Sequence, residues 1–220
     1  MKFTCKKSDF TEGINIVLKA VSGKSTMPIL ECVMIEANGD KMKLTTNDME
    51  LGIETLIPAQ VEVPGIVLVN AKMIAEIIRK LPEDEVYFEV DDRLNILIFC
   101  GKAKFNLPGK ESEEFPMLPS IEKEKKIVIS QFTLKEMIRQ TIFSISDNEN
   151  NKILTGELFE ITGDEFKIAS LDLHRVSIRK IQLKESYDNI KVVIPGKALN
   201  EISKILSGNL EDEVTVFFST

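Results

Sequence analysis

The spacing of hydrophobic residues changes within the first quarter of the chain, and each spacing predicts a different secondary-structure element. One stretch has apolar residues at the 3.6-residue spacing of a helix, namely Phe10, Ile14, Val17, Leu18 and Val21. It predicts a helix at 9–21, preceded by a strand at 2–6. The segment Lys41-Met42-Lys43-Leu44-Thr45 alternates instead, which is the pattern of a half-buried strand. Strands are therefore predicted near 30–37, 41–47 and 50–58.

The same succession of elements then begins again. A strand at 65–69 precedes a helix at 71–81, whose apolar residues are Met73, Ile74, Ile77, Ile78 and Leu81. Strands follow near 85–90, 94–99 and 102–107. The first half of the chain is thus predicted to contain a β-α-β-β-β unit twice.

Residues 30–54 are similar to residues 154–178 at a shift of 124. Six pairs are identical: Leu30/Leu154, Glu36/Glu160, Gly39/Gly163, Asp40/Asp164, Lys43/Lys167 and Asp48/Asp172. The turn at 38–40 has its counterpart at 162–164, and both contain a glycine, which permits positive φ. A module of about 120 residues therefore occurs twice.

The second module is predicted to repeat the order of the first. A strand at 126–130 precedes a helix whose start is marked by a capping box, Thr133 and Glu136. Strands follow near 153–161, 165–171, 174–183 and 190–194, then a helix at 197–207 and a last strand from 213. The fold class is α+β, with one domain at 1–120 and an incomplete second domain at 121–220. Prolines at 108–119 and charges at 122–126 predict an ordered connector.

Composition changes this picture little. The chain has 220 residues, of which 43% are hydrophobic and 29% charged, so it is long enough and apolar enough for a folded core. No apolar run approaches the roughly 20 residues of a membrane span, and the N-terminus lacks a signal-peptide core. We expect a cytoplasmic protein with no membrane partner. The net charge of -7 does not exclude nucleic acid, because phosphate binding depends on where the cations lie.

The rare residues exclude several kinds of chemistry. The three cysteines are scattered and form no CxxC pair, so together with the one histidine they lack the ligand spacing of a zinc site, and Cys32 and Cys100 are predicted to pack as small hydrophobes. Gly23-Lys24-Ser25-Thr26 looks like the end of a phosphate-binding loop, but it lacks the preceding glycine and follows a predicted helix. Asp172 and His174 would share a face if they lay on a strand, yet no nucleophile elbow accompanies them.

Cations recur at equivalent places on the predicted helices. Lys72 and Arg79 lie two turns apart in the first module, as Lys197 and Lys204 do in the second. Lys19, Lys135 and Arg139 add to them. If equivalent helices share a surface, these cations form a stripe suited to backbone phosphates without base readout. The alternative is the ordinary solvated face of amphipathic helices.

Seven short motifs occur along the whole chain: Met1-Lys2-Phe3-Thr4, Thr26-Met27-Pro28-Ile29-Leu30, Asn47-Asp48-Met49-Glu50, Phe115-Pro116-Met117-Leu118, Leu158-Phe159-Glu160, Asp172-Leu173-His174-Arg175 and Val193-Ile194-Pro195-Gly196-Lys197. Together they resemble the bacterial DNA sliding clamp family, the beta subunits of DNA polymerase III. The resemblance implies a processivity factor without catalytic centre, metal or cofactor, with helices on one face and antiparallel sheets on the other. It implies a head-to-tail homodimeric ring of full-length chains around double-stranded DNA, bound without sequence preference.

The resemblance also implies three sets of site residues. The DNA-facing positions are Lys24, Lys72, Asn148, Lys152, Ile153 and Lys197. A hydrophobic pocket for short linear motifs of the polymerase catalytic subunit, the clamp loader and repair proteins is expected at Leu154, Leu171, Leu173, His174, Arg175 and Val176. Phe105 and Leu107, on a predicted edge strand, match the protomer interface or are simply buried there.

The sequence departs from the family pattern in the pocket and in the number of modules. Leu171 and Leu173 replace small or polar residues, which implies a greasier pocket, although core packing is the plain alternative. The third module is missing, so we expect a fragment of a longer chain. Two other hypotheses stay open: a repeat scaffold that binds peptides through a sheet edge and never meets DNA, and an enzyme that uses Asp172 and His174.

Overall fold

A computed structural model describes residues 1–21, 27–121, 123–148 and 150–219. The chain divides into two compact units, residues 1–118 and 119–220. All strand pairs in both units are antiparallel. Together with the four α-helices found in the described residues, this gives the α+β class that the sequence predicts.

In its described residues the first unit contains two sheets and two α-helices. Its elements are β1 Lys2–Lys6, α1 Lys7–Val17, β2 Cys32–Asn38, β3 Lys41–Asn47, β4 Gly52–Pro58, β5 Gln60–Val63, β6 Gly65–Asn70, α2 Ala71–Lys80, β7 Glu85–Val90, β8 Asn95–Cys100 and β9 Ala103–Pro108. One sheet has the order β5-β1-β7-β8-β9 and the other β4-β3-β2-β6. Apart from β5, the order of elements confirms the predicted double β-α-β-β-β succession.

The second unit has the same plan with longer strands. Its elements are β10 Lys125–Ser130, α3 Gln131–Thr141, β11 Gly156–Leu171, β12 Val176–Pro195, α4 Gly196–Ile205 and β13 Glu213–Phe218. β10 pairs with β13, and β11 with β12. The strands predicted at 153–161 and 165–171 form the single run β11, and those predicted at 174–183 and 190–194 form β12. The pairing register of β11 shifts around Gly163, where the sequence predicts a turn.

Helices and sheets of each unit share one hydrophobic core. In the first unit the Phe3 and Phe88 rings stack with centroids 4.7 Å apart, and Phe10 of α1 meets Phe3 edge-on at 6.5 Å. In the second unit Phe159 and Phe166, both on β11, meet edge-on at 5.3 Å. Aromatic pairs of this kind add to the burial of their area and fix the spacing between layers.

The predicted end of the first helix and the predicted start of the third are wrong. The first α-helix ends at Val17 and gives way to a 3₁₀ turn at Leu18–Ala20. The third α-helix begins at Gln131 after Ser130, so Thr133 lies inside it and no capping box forms. The Glu136 carboxylate instead accepts from Arg139 Nη2 at 2.7 Å, because residues three apart on a helix are neighbours.

The internal repeat is confirmed by matching hydrogen bonds. Thr46 Oγ1 donates to Val17 O at 2.6 Å, and Ser170 Oγ donates to Thr141 O at 2.5 Å, with the donor and the acceptor both shifted by 124. Each hydroxyl therefore satisfies a carbonyl at the end of a helix, where helical partners are lacking. The ion pairs Glu36–Lys43 and Glu160–Lys167 also correspond. Gly39 and Gly163 both adopt positive φ, at 63° and 61°.

One buried carboxyl group, that of Glu157, takes no part in these repeated contacts. Glu157 is fully buried on β11, and neither of its carboxyl oxygens has a hydrogen-bond partner among the described residues. The nearby Thr141 hydroxyl donates to Met137 O at 2.8 Å instead. Burial raises the pKa of Glu157 to about 7, because a desolvated carboxylate is disfavoured.

Glu157→Gln should remove a pH dependence of stability. The folded pKa of about 7 lies above the ordinary 4.5, so the folded state holds the proton longer and wild-type stability falls as pH rises between these values. The loss is at most about 3 kcal/mol, at 1.36 kcal/mol per pKa unit. Urea unfolding at about pH 5 and pH 8 measures the difference between variant and wild type. The exposed Glu185→Gln is the control, and an equal pH dependence in wild type and Glu157→Gln would contradict the assignment.

Candidate functional site

A tight turn joins β11 to β12, and the carboxylate of Asp172 organises it. Asp172 Oδ1 accepts the backbone N–H of His174 at 2.8 Å and of Arg175 at 2.9 Å. Asp172 Oδ2 accepts Arg175 Nε at 2.8 Å. The backbone N–H of His174, followed by the Arg175 bonds, holds the pKa of the Asp172 carboxyl below its usual range. Asp172 and His174 therefore lie in a turn, so the condition under which they would share a strand face is not met.

This geometry gives no support to the hypothesis of an enzyme that uses Asp172 and His174. The carboxylate is engaged by amides and by Arg175, while the contact to His174 uses the backbone and not the imidazole. In the described part of the chain no three His, Cys, Asp or Glu side chains could hold a metal ion. Cys32 and Cys100 are buried free thiols, which confirms that they pack as small hydrophobes.

Four apolar side chains around this turn are exposed to solvent, and we call them the turn patch. They are Leu171, Leu173, Val176 and Ile178, with exposed fractions of 43%, 86%, 62% and 58%. Leu171 and Val176 pair directly across the two strands. Core packing, the plain alternative for the two leucines, is therefore wrong. Contiguous exposed apolar residues rimmed by polar ones are typical of interaction sites.

The opposite face of the same strands is hydrogen-bonded to the end of α3 and to the residues that follow it. Ser170 Oγ donates to Thr141 O at 2.5 Å, and the hydroxyls of Ser144 and Ser177 lie 2.6 Å apart. These contacts fix a 3₁₀ turn, Ile142–Ser144, against the strands. Residues 170 and 177 thus face the helix, so 171 and 176 face outward.

Phe143 is a further member of this region that sequence reasoning missed. The guanidinium carbon of Arg175 lies 5.9 Å from the centre of the exposed Phe143 ring. This is a cation–π contact, and it adds to the bond that orients Arg175 toward Asp172. The available signal was an aromatic residue two positions after the end of α3.

The predicted site residues that precede β11 lie in a segment made of turns. Leu154 is half-buried, and its carbonyl accepts Ser146 N–H at 2.8 Å. Lys152 and Ile153 are exposed, and Asn148 Oδ1 accepts Asn150 N–H at 3.1 Å. The strand prediction at 153–155 is wrong, because these residues form the turn that leads into β11.

The helix cations occupy equivalent exposed places. Lys72 is the second residue of α2, and Lys197 is the second residue of α4. Several other cations of the predicted stripe bind neighbours: Arg79 donates to Asn15 at 2.6 Å, Lys204 pairs with Glu201 at 2.5 Å, and Lys135 donates to Leu206 O at 3.0 Å. Lys24 lies outside the described residues.

Phe105 and Leu107 lie on β9, which forms one edge of the five-stranded sheet, as predicted. Leu107 belongs to the core of the first unit, while Phe105 is half-buried and packs against that core. The edge therefore offers unpaired backbone groups and part of one aromatic ring. Within the described residues, no helix is both long and apolar enough to cross a membrane.

Comparison with known proteins gives a consistent result. The family model for the N-terminal domain of the DNA polymerase III beta subunit matches residues 1–119, and that for the central domain matches 128–220. The beta sliding clamp of Bacillus subtilis is 40% identical over 96% of this chain, and this match covers 58% of the relative. The chain thus spans about three fifths of the length of the curated relatives that it matches.

Solved structures agree with the family match. The crystal structure of the Bacillus subtilis DNA polymerase sliding clamp superimposes with a TM-score of 0.96 at 38% identity, over 100% of this chain and 60% of that one. A protein from Eubacterium rectale, assigned as a DNA polymerase III beta subunit, gives a TM-score of 0.97 at 51% identity with the same coverage. The clamp fold predicted from the sequence is therefore confirmed.

Asp172→Ala should loosen the turn without unfolding the second unit. The amides of His174 and Arg175 lose their shared acceptor, so their hydrogen exchange should become roughly tenfold faster, the effect of one ordinary hydrogen bond. Amide exchange followed by NMR or mass spectrometry measures this. Asp48→Ala is the matched control, because it removes the same acceptor from the amides of Glu50 and Leu51. Unchanged exchange at His174 and Arg175 would contradict the role of this carboxylate.

Proposed function

The chain belongs to the DNA polymerase III beta subunit family, and we propose that it acts as a sliding clamp, a non-catalytic processivity factor. The observation that carries the proposal is the succession of two family domains over the two units. In this role the protein tethers a polymerase to double-stranded DNA, so that dissociation is replaced by sliding. The alternative of a repeat scaffold that never meets DNA has no support from the family match.

The tether requires only loose contact with DNA. A topological link holds the protein on the duplex, so its cations need to contact backbone phosphates without reading bases. We propose Lys24, Lys72, Asn148, Lys152, Ile153 and Lys197 as the DNA-facing residues. The exposure of Lys72 and Lys197 at the starts of equivalent helices supports this role. Ile153 contributes an apolar contact in place of a charge.

The assembly proposed for the full-length protein is a head-to-tail homodimer in the cytoplasm. The β9 edge, with Phe105 and Leu107, is the proposed contribution of this chain to the protomer interface. Its unpaired strand edge and half-buried phenyl ring support this, since such edges pair readily with another chain.

The turn patch is the proposed binding site for short linear motifs of partner proteins. The polymerase catalytic subunit, the clamp loader and repair proteins are the expected partners. Leu171 and Val176 supply apolar area, Leu154 forms part of the rim, and Arg175 stands beside them, oriented by Asp172 and Phe143. His174 and Leu173 are the exposed residues at the tip of the turn.

Duplex binding should depend on where the lysines lie. At low salt, Lys72→Ala combined with Lys197→Ala should weaken binding of a labelled duplex, whatever its sequence. The slope of log affinity against log salt should fall by almost two, at about 0.9 per phosphate contact. Fluorescence anisotropy over a salt series measures both. The charge-matched control is Lys180→Ala with Lys184→Ala, two exposed lysines of β12. Equal losses in the two double variants would contradict the proposed DNA surface.

Peptide binding should depend on the turn patch. A Leu- and Phe-rich peptide from a polymerase tail should bind the 220-residue chain, and Val176→Asp should weaken it by about tenfold or more, because a carboxylate replaces apolar contact area. Arg175→Ala should also weaken it. Isothermal titration calorimetry measures the affinity. Val63→Asp, an exposed valine of β5 in the first unit, is the matched control. Unaltered affinity in Val176→Asp would contradict the pocket.

A further inference from the structure

The strand β11 turns back on itself midway, and this brings Glu157 to the end of α3. Glu160 and Lys167 form an ion pair, which requires the two halves of β11 to lie side by side. At the same offset from this pair along each half, Glu157 lies opposite Ser170. Ser170 Oγ donates to the carbonyl of Thr141, the last residue of α3, at 2.5 Å. The carboxyl group of Glu157 is therefore placed beside the contact that joins the strands to this helix.

Glu157 belongs to an interior polar cluster, which also contains the hydroxyl residues Thr141, Ser144, Ser170 and Ser177. Ser170 pairs with Ser177 across β11 and β12, and the hydroxyls of Ser177 and Ser144 lie 2.6 Å apart. The Thr141 hydroxyl donates to a carbonyl of its own helix at 2.8 Å. All four hydroxyls thus have partners, whereas in the described residues neither carboxyl oxygen of Glu157 has one.

The first unit builds the same arrangement with apolar residues at most of these places. The shift of 124 relates Thr141, Ser144, Glu157 and Ser177 to Val17, Ala20, Val33 and Ile53. Val17, Ala20 and Val33 are fully buried, and Ile53 packs against the core. The elements that enclose this place, α1, β2, β3 and β4, all have counterparts in the second unit. The fold therefore does not require a carboxyl group here.

Glu157 has no charged partner within the described residues. Burial raises the pKa of its carboxyl group and the Thr141 hydroxyl lowers it, and no charge contributes to the shift. The other ionisable residues of α3, β11, β12 and α4 are half-buried or exposed. On these elements Glu136 pairs with Arg139, Glu160 with Lys167 and Glu201 with Lys204, while Arg179 and Lys197 are exposed. The proton on Glu157 is thus governed by local packing and hydrogen bonds.

An ionised Glu157 needs hydrogen-bond donors that its surroundings do not offer as they stand. A buried carboxylate without donors or an opposite charge is strongly disfavoured. The hydroxyls of Thr141 and Ser170 lie beside it, and the Ser170 hydroxyl is the one that holds the end of α3 to the strands. If that hydroxyl turns to the carboxylate, or if water enters to solvate it, the contact between helix end and strands is lost.

The 3₁₀ turn at 142–144 continues this helix end and is closely packed on its inner side. Ile145, directly after the turn, lies on the start of α4, where a Cβ at Gly196 would stand 2.4 Å from Ile145 Cδ1. The turn therefore cannot approach α4 more closely. On its outer side the Phe143 side chain is exposed, and its ring centre lies 5.9 Å from the Arg175 guanidinium carbon. A turn released from the strands moves outward and carries Phe143 away from Arg175.

We propose that Glu157 is a proton-dependent switch for the 3₁₀ turn at 142–144. With the carboxyl group neutral, the turn stays against the strands and Phe143 stays on Arg175. With the group ionised, the Ser170 hydroxyl or water solvates the carboxylate, and the turn moves outward with Phe143. The folded pKa of about 7 places the closed turn below this pH and the open turn above it. The switch operates in the chain alone, without DNA or a partner peptide.

The test is a fluorine NMR titration of the 220-residue chain, with a fluorinated phenylalanine at position 143. In the wild-type chain the fluorine signal should change with a midpoint at about pH 7. In Glu157→Val, which copies Val33 of the first unit, and in Glu157→Gln, the signal should stay constant over the same pH range. A wild-type signal that does not change, or the same midpoint in the two variants, would overturn the proposal.

His174 needs a control of its own, because histidine also titrates near neutral pH and this residue lies beside Arg175. His174→Gln should keep the midpoint of the Phe143 signal, and loss of the midpoint in this variant would overturn the proposal. Thr141→Val, which copies Val17, should move the midpoint upward, because the Thr141 hydroxyl lowers the pKa of Glu157. A midpoint that stays or falls in Thr141→Val would contradict the placement of the carboxyl group beside α3, and the switch with it.

Amide exchange separates a local switch from a general loss of stability at high pH. The backbone N–H groups of Ile145 and Ser146 are hydrogen-bonded at 3.3 Å and 2.8 Å. After correction for intrinsic exchange, both should exchange about tenfold faster at about pH 8 than at about pH 6, in step with the ionised fraction of Glu157. The amide of Ile168, fully buried on β11, should be unchanged. Equal acceleration of all three amides would overturn the proposal.

Discussion

Each unit buries one face of its sheets under a pair of helices, and this one-sided burial governs the rest of the molecule. The cores combine residues of both helices with the inward positions of the strands, so every second strand residue must find another environment. In the first unit, part of the outer face is covered by the chain itself, where Phe115 packs on β2 and β6. In the second unit the turn patch lies on the outer face of β11 and β12, and it is the proposed peptide site.

The doubled architecture is held by a few polar contacts that recur at constant spacing. The hydroxyls of Thr46 and Ser170 satisfy helix-end carbonyls, and the carboxylates of Asp48 and Asp172 satisfy turn amides. These groups are small and polar, and each fixes the exit of one element and the entry of the next. Hydrophobic positions can vary in size between the two units because these contacts keep the backbone in place. The turn can therefore bear Asn and Gly in one unit and Leu and Val in the other.

Sequence pattern predicts the order of elements well, because alternation and helical spacing follow directly from which face is buried. It misplaces the start of α3, because Thr133 and Glu136 match a capping motif, whereas the helix begins at Gln131, whose backbone N–H donates to Asp212 O. It does not reveal Phe143, whose role depends on the approach of Arg175 from the turn between β11 and β12. The exposure of Leu171 and Leu173 could also not be predicted from the residue type, since leucine in an alternating run is usually buried. The resemblance supplied the site residues, and the structure supplied the reason that they are accessible.

The distribution of charge is consistent with a protein that holds DNA loosely. Several helix cations are engaged with neighbouring acids or carbonyls, as the pairs Lys204–Glu201 and Arg139–Glu136 illustrate. A cation that must leave such a partner to reach a phosphate gains less from that contact, so these engaged cations add only weak contacts to those of the proposed DNA-facing residues. In the proposed ring weak contacts are sufficient, because a topological link prevents escape and a strong uniform attraction would oppose movement along the duplex. The net charge of -7 therefore describes the whole surface, whereas the proposed DNA contacts depend on a few exposed cations at the starts of helices.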